Sequence, residues 1–441
     1  MFWTKSKKII ISAITLTILI VALVLNYLLS PSSFPTFKPI TEQEILSNED
    51  YIEDFDYAYS ILETYYPFFE INKIANNVDW IGNREEYKSL ISKCNTDEEF
   101  YETMGLILAE LNNGHTHLLD PNYGLDSYVL YKMISPRIDW RADMVKIFEK
   151  PNVQARHNIT NERIDDMVEH MENYVPDVSS LKNIVVADIV PEKVGYISIK
   201  QMITPDLNIP SFKEEHDIIK KYLEEVMDYS VLIIDIRENG GGNSAYWSDF
   251  LMPLIVDKTY SQDTYSFVKD GPLLNRFRKQ SGFKELTDDK ISDFNFPQNT
   301  NNIIKDYSYY MNNTFDVIPS KDSINFGGNL YLLVDRYVYS SSEKLASFAK
   351  ESEMAVLVGE RTGGDGIGTD PMLIDLPNTG YVLRFSKELG ITEQGGINEL
   401  DQTEPDILIP NPRKVTSRNG PIVGYDEAIS TILEMEGIFI D

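Results

Sequence analysis

The sequence predicts an α/β fold built on a mainly parallel sheet. Residues 231–236 (VLIIDI) are apolar without alternation, which is typical of a strand covered on both faces. From residue 194 onward, short apolar stretches alternate with amphipathic ones, and this alternation places helices on the faces of a parallel sheet. The further strands are predicted at 194–199, 330–334 and 354–358, and the helices at 211–228, 341–350 and 426–435.

Two features are added to this α/β region, which we assign to residues 191–441. Residues 371–376 and 381–385 flank a Pro-Asn-Thr-Gly turn and predict a hairpin. Residues 257–328 interrupt the alternation and are rich in Asp, Asn, Tyr and Phe. A connection of this length is usually functional, as a lid or substrate clamp. A peripheral addition without a catalytic role is an equally open interpretation.

A helical subdomain is predicted over residues 41–120. Apolar residues from Ile52 to Leu62 follow 3-4-3 spacing, which makes one stripe of an amphipathic helix. Residues 96–99 (TDEE) have the form of a capping box, and Gly114 is placed to end the helix that begins there. The intermediate region 121–190 shows a helical pattern at 161–174 and no repeat.

The N-terminus predicts a membrane anchor. Residues 9–29 contain no charge over 21 positions, and about 20 apolar residues span a bilayer. Lysines in the flank 1–8 should stay cytoplasmic, which places the rest of the chain outside the cell membrane. No small-x-small cleavage site follows, so we expect an uncleaved signal anchor. Prolines and serines in residues 30–40 are typical of a stiff linker.

The composition excludes several classes of function. Against 40 basic residues stand 69 acidic ones, and the net charge of −29 argues against a nucleic-acid partner. Apolar residues make up 42%, as in a chain with a sizeable core. Cys94 is the single cysteine, so neither an intrachain disulfide nor a cysteine-based metal site is possible. We predict no metal and no cofactor.

Two segments carry small or hydroxyl residues before helices. Ser340 precedes a predicted helix, where the dipole and free N–H groups favour a nucleophile, although a plain N-cap is the commoner role. Residues 240–242 are three glycines after a buried strand, and their N–H groups could line an oxyanion hole or hold a phosphate. Phosphate binding is poorly supported, because no Gly-Lys-Ser/Thr follows. A tight structural turn is the simpler alternative.

Two further segments carry titratable side chains. His115 follows a helix end and is a candidate general base. Together with His117 it could also bind a metal, but no further ligand stands at zinc spacing, and a surface pair is the third possibility. Glu399 lies in an acidic stretch and, taken by itself, indicates little in so acidic a protein.

Taken in order, these segments resemble the tail-specific, or carboxy-terminal-processing, serine peptidases over residues 50–435. The resemblance is to the branch of the tricorn core and the interphotoreceptor retinoid-binding protein, without the PDZ domain that many members carry before residue 194. It rests on LNNGHTHL (111–118), VGYISI (194–199), IIDIRENGGG (233–242), LYLLVDRYVYSSSEKLASF (330–348), VLVGERTGG (356–364) and NELDQTEPDI (398–407).

The resemblance implies a catalytic core of stacked ββα units, as in crotonases and Clp proteases. It implies that Ser340 is the nucleophile. The oxyanion hole would consist of a backbone N–H of Gly240 or Gly241 and that of Ser341.

The expected general base follows from a position at which this chain differs from many members of the family. Many members use a lysine in the loop after Gly-Glu, but Asp365 stands at that place, so a Ser–Lys dyad is not expected. The tricorn-core branch uses a histidine supported by a glutamate, which implies His115 and Glu399 here. That branch also has a serine where this chain has Gly114.

We therefore expect a membrane-anchored, extracytoplasmic serine endopeptidase that cleaves a peptide or protein through an acyl-enzyme on Ser340. The alternative is a catalytically inactive module that binds a peptide or lipid on the same fold. A nucleotide-binding protein that uses residues 240–242 is a third, weaker hypothesis. The sequence specifies neither the substrate nor the oligomeric state.

Overall fold

The computed structural model describes residues 30, 32–39, 45–173, 183–207, 210–410, 416–417, 420–421 and 426–439. The predicted anchor at 9–29 and its basic flank at 1–8 lie outside the described residues. Within the described residues, no helix combines the length and the apolar character that crossing a membrane requires.

The described part of the chain alternates helices and strands. Its helices are α1 (Asn48–Tyr65), α2 (Phe69–Asn76), α3 (Arg84–Ile91), α4 (Asp97–Ala109), α5 (Gly124–Ile134), α6 (Arg141–Phe148), α7 (Pro151–Arg156), α8 (Asn161–Asn173), α9 (Pro210–Val226), α10 (Asn275–Ser281), α11 (Asp288–Asp293), α12 (Gln298–Ile304), α13 (Ser341–Glu351), α14 (Asn398–Asp401) and α15 (Glu427–Met435). Its strands are β1 (His117–Leu118), β2 (Ile184–Val190), β3 (Val194–Ile199), β4 (Val231–Asp235), β5 (Tyr260–Val268), β6 (Lys284–Glu285), β7 (Tyr309–Val317), β8 (Asn329–Val334), β9 (Val356–Gly359), β10 (Met372–Asp375), β11 (Val382–Phe385), β12 (Leu389–Thr392), β13 (Ile407–Leu408), β14 (Thr416–Ser417) and β15 (Gly420–Pro421).

The predicted α/β core is confirmed. Six strands form one sheet in the order β13-β9-β8-β4-β3-β2, and β2 alone runs antiparallel to its neighbour. Leu232 and Ile234 of β4 pack with α9 and α13, whereas Val231 and Ile233 pack with α15. Both faces of β4 are therefore covered, which is why its sequence shows no alternation. The edge strand β2 was not predicted, although its sequence IVVADIV is apolar apart from Asp188; of its residues only Ile184 is buried.

The helical region before this sheet is also confirmed. Phe55 and Leu62 of α1 are fully buried, as the stripe predicts. At the start of α4, the Thr96 hydroxyl accepts a hydrogen bond from the N–H of Glu99 at 3.2 Å. The Glu99 carboxylate, however, accepts from the N–H of Asn95 instead of closing the predicted capping box.

The segment 257–328 belongs to the core of the protein. Strands β5 and β7 pair antiparallel along their whole length, and β12 pairs with the other edge of β5. Phe267 of β5 lies in the same apolar cluster as the helices α1–α4, and the Tyr307 hydroxyl donates to the Pro67 carbonyl at 2.5 Å. The segment thus links the helical region to the strands near the end of the α/β region, rather than forming a separate lobe.

A buried carboxyl group holds α13 to the chain around α14. The side chains of Asn398 and Thr403 each donate to Oε1 of Glu343 at 2.7 Å, and Glu343 is fully buried. Burial raises the pKa of Glu343 to about 7, and the hydrogen bonds oppose that rise only in part. This group therefore titrates close to neutral pH.

The position of Glu343 predicts a pH-dependent stability. Its folded-state pKa of about 7 exceeds the ordinary 4.5. Its contribution to the free energy of unfolding is therefore fully present below pH 4.5 and is lost as the pH rises through 7. The loss is at most about 1.4 kcal/mol per pH unit. Glu343→Gln keeps the acceptor oxygen but does not titrate. Urea unfolding at pH 5 and pH 8 should show this variant gaining stability over wild type at the higher pH.

The control is Glu427→Gln, at an exposed position in the first turn of α15. Its stability should follow that of wild type at both pH values. Parallel behaviour of the two variants would contradict a raised pKa at Glu343.

Candidate active site

Ser340 occupies a strained turn between β8 and α13. It is the N-cap of α13, with φ 59° and ψ −122°, and its side chain makes no capping hydrogen bond. A non-glycine residue with positive φ costs free energy and persists only where surrounding structure fixes it. The backbone thus holds Ser340 in an uncommon conformation while its hydroxyl is left free of the capping role.

The glycine loop after β4 packs against this turn. Because β4 and β8 are parallel neighbours, the segments that leave their carboxyl ends meet at one edge of the sheet. Gly241 has φ +103°, and a Cβ there would lie 2.8 Å from the Tyr339 carbonyl oxygen and 2.9 Å from the Ser341 nitrogen. Both the dihedral angle and the close approach require glycine at this position.

Asn239 fixes the loop to the helix start. Its Oδ1 accepts from the N–H of Gly241 at 2.9 Å and from the Ser342 hydroxyl at 2.7 Å. The N–H of Gly241 is therefore already engaged. Among the described residues, the N–H groups of Gly240 and Ser341 have no acceptor. These two donors are the ones left to bind a developing oxyanion.

His115 is paired with Asp365. The distance from Nδ1 of His115 to Oδ2 of Asp365 is 2.7 Å, and His115 is 9% exposed. The His115 ring also packs against Tyr339, with ring centroids 4.8 Å apart. The sequence-based expectation paired His115 with Glu399, but no hydrogen bond or ion pair in the described structure joins those two residues.

Asp365 lies in a network of donors. The Ser386 hydroxyl donates at 2.6 Å, the Asn113 amide at 2.9 Å and the Tyr339 hydroxyl at 3.3 Å. Burial works to raise the pKa of Asp365, but the charge of His115 and these hydrogen bonds outweigh it and hold the pKa below its ordinary value. Asp365 is therefore an ionised carboxylate beside the imidazole.

Glu399 lies behind this pair. Its Oε1 accepts from the Asn113 amide at 3.0 Å, and its buried Oε2 has no partner among the described residues. Burial raises the pKa of Glu399 well above its ordinary value, and the negative charge of Asp365 raises it further. The structure thus brings together two buried carboxyl groups whose pKa values are shifted in opposite directions, with Asn113 between them.

These groups meet at a cleft of about 960 Å³. Its lining includes Ser340, Ser341, His115, Gly240 and Asp365, whereas Gly241 and Glu399 do not line it. Within the described ranges, no three His, Cys, Asp or Glu side chains form a set that could hold a metal ion. The cleft is therefore equipped for serine, histidine and carboxylate chemistry.

Sequence reasoning missed three members of this site. In the sequence, Asp365 stands out only as the residue that excludes a lysine base. Asn113 stands two residues before His115 in the quoted motif, so its position was available but its role was not. Ser386, after β11, gave no signal, because a serine at the end of a strand is ordinary.

Known structures share this fold. A protein of Parabacteroides merdae ATCC 43184, whose assignment as a peptidase is itself provisional, is 18% identical, with 88% of this chain and 96% of that chain covered and a TM-score of 0.53. Mature CPAF complexed with lactacystin is 12% identical, with 82% and 93% covered and a TM-score of 0.50. Identities this low show similarity of fold alone.

Family models cover both parts of the described chain. The model of peptidase family S41 matches residues 193–409, which contain the sheet, the glycine loop and Ser340. The model of the tricorn protease C1 domain matches residues 47–109 in the helical region. No curated protein matches this sequence. The two matches, in the order and places where the motifs stand, show that this chain belongs to peptidase family S41.

Proposed function

We propose that this chain is a serine endopeptidase that cleaves peptide bonds through an acyl-enzyme on Ser340. The observation that carries the proposal is the contact of His115 with an ionised, buried Asp365 in the same cleft as Ser340. A structural N-cap serine needs neither a strained backbone nor a histidine–carboxylate pair nearby. Membership of a peptidase family supports the same chemistry.

The roles follow from the contacts. With its Nδ1–H donated to Asp365, His115 keeps Nε2 as the basic nitrogen, which takes the Ser340 proton as Oγ attacks the peptide carbonyl. The resulting oxyanion would accept from the N–H groups of Gly240 and Ser341, each typically worth about 3–4 kcal/mol. The C–N bond then breaks, the imidazolium protonates the leaving amine, and water releases the acyl group by the reverse proton path.

The raised pKa of Glu399 supports this division of labour. A second charge so close to Asp365 would be repelled, and it would compete for the imidazolium that forms during attack. As a neutral acid, Glu399 accepts from Asn113 and helps to place the amide that also binds Asp365. We therefore assign orientation of His115 to Asp365, and a supporting role to Glu399.

We also propose that residues 9–29 anchor the enzyme in the cell membrane, with the catalytic region outside the cytoplasm. The uncharged run and its basic flank support this placement. Protease treatment of intact cells should degrade the region after residue 30. In membranes from untreated cells, the whole chain should stay in the membrane fraction after a carbonate wash. Protection of the whole chain from added protease would contradict the orientation.

The first catalytic prediction concerns Ser340. A fluorophosphonate probe should label the wild-type protein, and Ser340→Ala should abolish both the labelling and the hydrolysis of fluorescent casein, because the attacking oxygen is lost. The melting temperature should change little, since the hydroxyl makes no capping bond. Ser292→Ala, an exposed position on α11, is the control and should be labelled as wild type. Absence of labelling in folded wild-type protein would favour the binding module.

The second catalytic prediction separates the two carboxyl groups. Asp365→Asn should lower kcat/KM by about 10³- to 10⁴-fold, because the amide cannot stabilise the imidazolium and favours the wrong tautomer. Glu399→Gln replaces a neutral acid with a neutral amide of similar shape, so it should cost less than about tenfold. Kinetics on one casein substrate would compare both variants with wild type. The reverse order of effects would return the orienting role to Glu399.

A further inference from the structure

The cleft around Ser340 contains cationic side chains, although the protein has a net charge of −29. Arg141 contacts both Asp139 and Asp370. Lys387 lies 3.0 Å from the carboxylate of Glu388. The charges of these two cations are therefore already balanced within the protein.

For two other cations of the cleft, no such carboxylate partner is found in the part of the chain that the structure describes. The ammonium group of Lys344 lies over the ring of Phe315, 4.6 Å from its centroid, and so has a favourable aromatic partner. Arg384 instead makes a single long hydrogen bond, from Nη1 to the His115 carbonyl oxygen at 3.4 Å. Among the described residues, no carboxylate oxygen lies within 4.0 Å of its guanidinium.

This arrangement leaves Arg384 short of partners. Burial lowers the pKa of Arg384, and attraction from the more distant Tyr131 and Asp365 opposes that effect only in part. The guanidinium nevertheless stays charged and has five N–H donors, of which the contact with His115 uses one. A partly buried guanidinium with unused donors binds a carboxylate well, since two parallel N–H···O bonds form in its plane.

We propose that Arg384 is a specificity residue that binds a carboxylate of the substrate peptide beside His115. The carboxylate belongs either to an acidic side chain or to a free C-terminus, since both present the same two oxygens. This inference depends on the proposed function in one respect, because it takes the bound peptide to be a substrate.

The charge of the whole protein sharpens this inference. Because the protein has a net charge of −29, it repels acidic peptides at long range. Selection must therefore come from a short-range contact inside the cleft, where the low dielectric strengthens an ion pair. Arg384 lies on β11 opposite His117 of β1. Because His117 follows His115 by two residues, this strand pairing fixes the backbone of Arg384 close to the proposed base.

The test uses full-length Ser340→Ala protein, which binds peptide without cleaving it. Four pools of decapeptides with an uncharged BODIPY label are compared by anisotropy. They are otherwise uncharged random sequences with one Glu or one Gln, each with a free or an amidated C-terminus. The pools that carry the recognised carboxylate should bind about 10- to 100-fold more tightly. Adding Arg384→Gln should remove this preference, and Arg384→Lys should retain part of it.

The controls keep this result independent of catalysis. Arg361→Gln removes an exposed cation that pairs with Glu404 outside the cleft, and it should leave the preference unchanged. Comparable melting temperatures would show that the Arg384 variants fold. The inference is overturned if no pool shows a carboxylate preference, or if the preference survives in Arg384→Gln. Fluorophosphonate labelling tests Ser340 separately, so either proposal can fail alone.

Discussion

The site depends on one steric contact, the approach of Gly241 to the turn at Ser340. The parallel pairing of β4 and β8 brings the two segments to the same edge of the sheet, and only a residue without a Cβ lets them touch. The same contact positions the N–H groups of Gly240 and Ser341, and it supports the positive φ of Ser340. A strained serine, an open pair of donors and a glycine loop are thus consequences of one packing arrangement.

Electrostatics organises the other half of the site. Two buried carboxyl groups, Asp365 and Glu399, share the Asn113 amide as a hydrogen-bond donor, and two negative charges so close together in a buried environment would repel strongly. Contact with His115 decides which of them ionises, because the imidazole can compensate a charge only on the carboxylate that it touches. The histidine therefore sets the protonation of the network, and the network in turn orients the histidine.

Several parts of the site could be predicted because their signals are local. The apolar run before the glycines, the serine before a helix and the histidine after one are each readable within about ten residues. The partner of His115 could not be predicted in this way, because Asp365 lies 250 residues away and nothing in either segment specifies the direction of the side chains. Asp365 stands at a place where the resemblance leads one to expect a lysine, so in the sequence its charge argues against a Ser–Lys dyad and gives no sign of the contact with His115.

The sequence by itself determined the α/β class, the helical region before it and the family, and it singled out Ser340 and His115 as candidate site residues. These rest on apolar periodicity and short motifs, which are properties of neighbouring residues. Only the tertiary structure decided that Asp365 contacts His115, that the N–H of Gly241 is already engaged, and that Arg384 lies in the cleft with no carboxylate partner among the described residues. Such facts depend on which distant segments meet, and on the charge and burial that follow from their meeting.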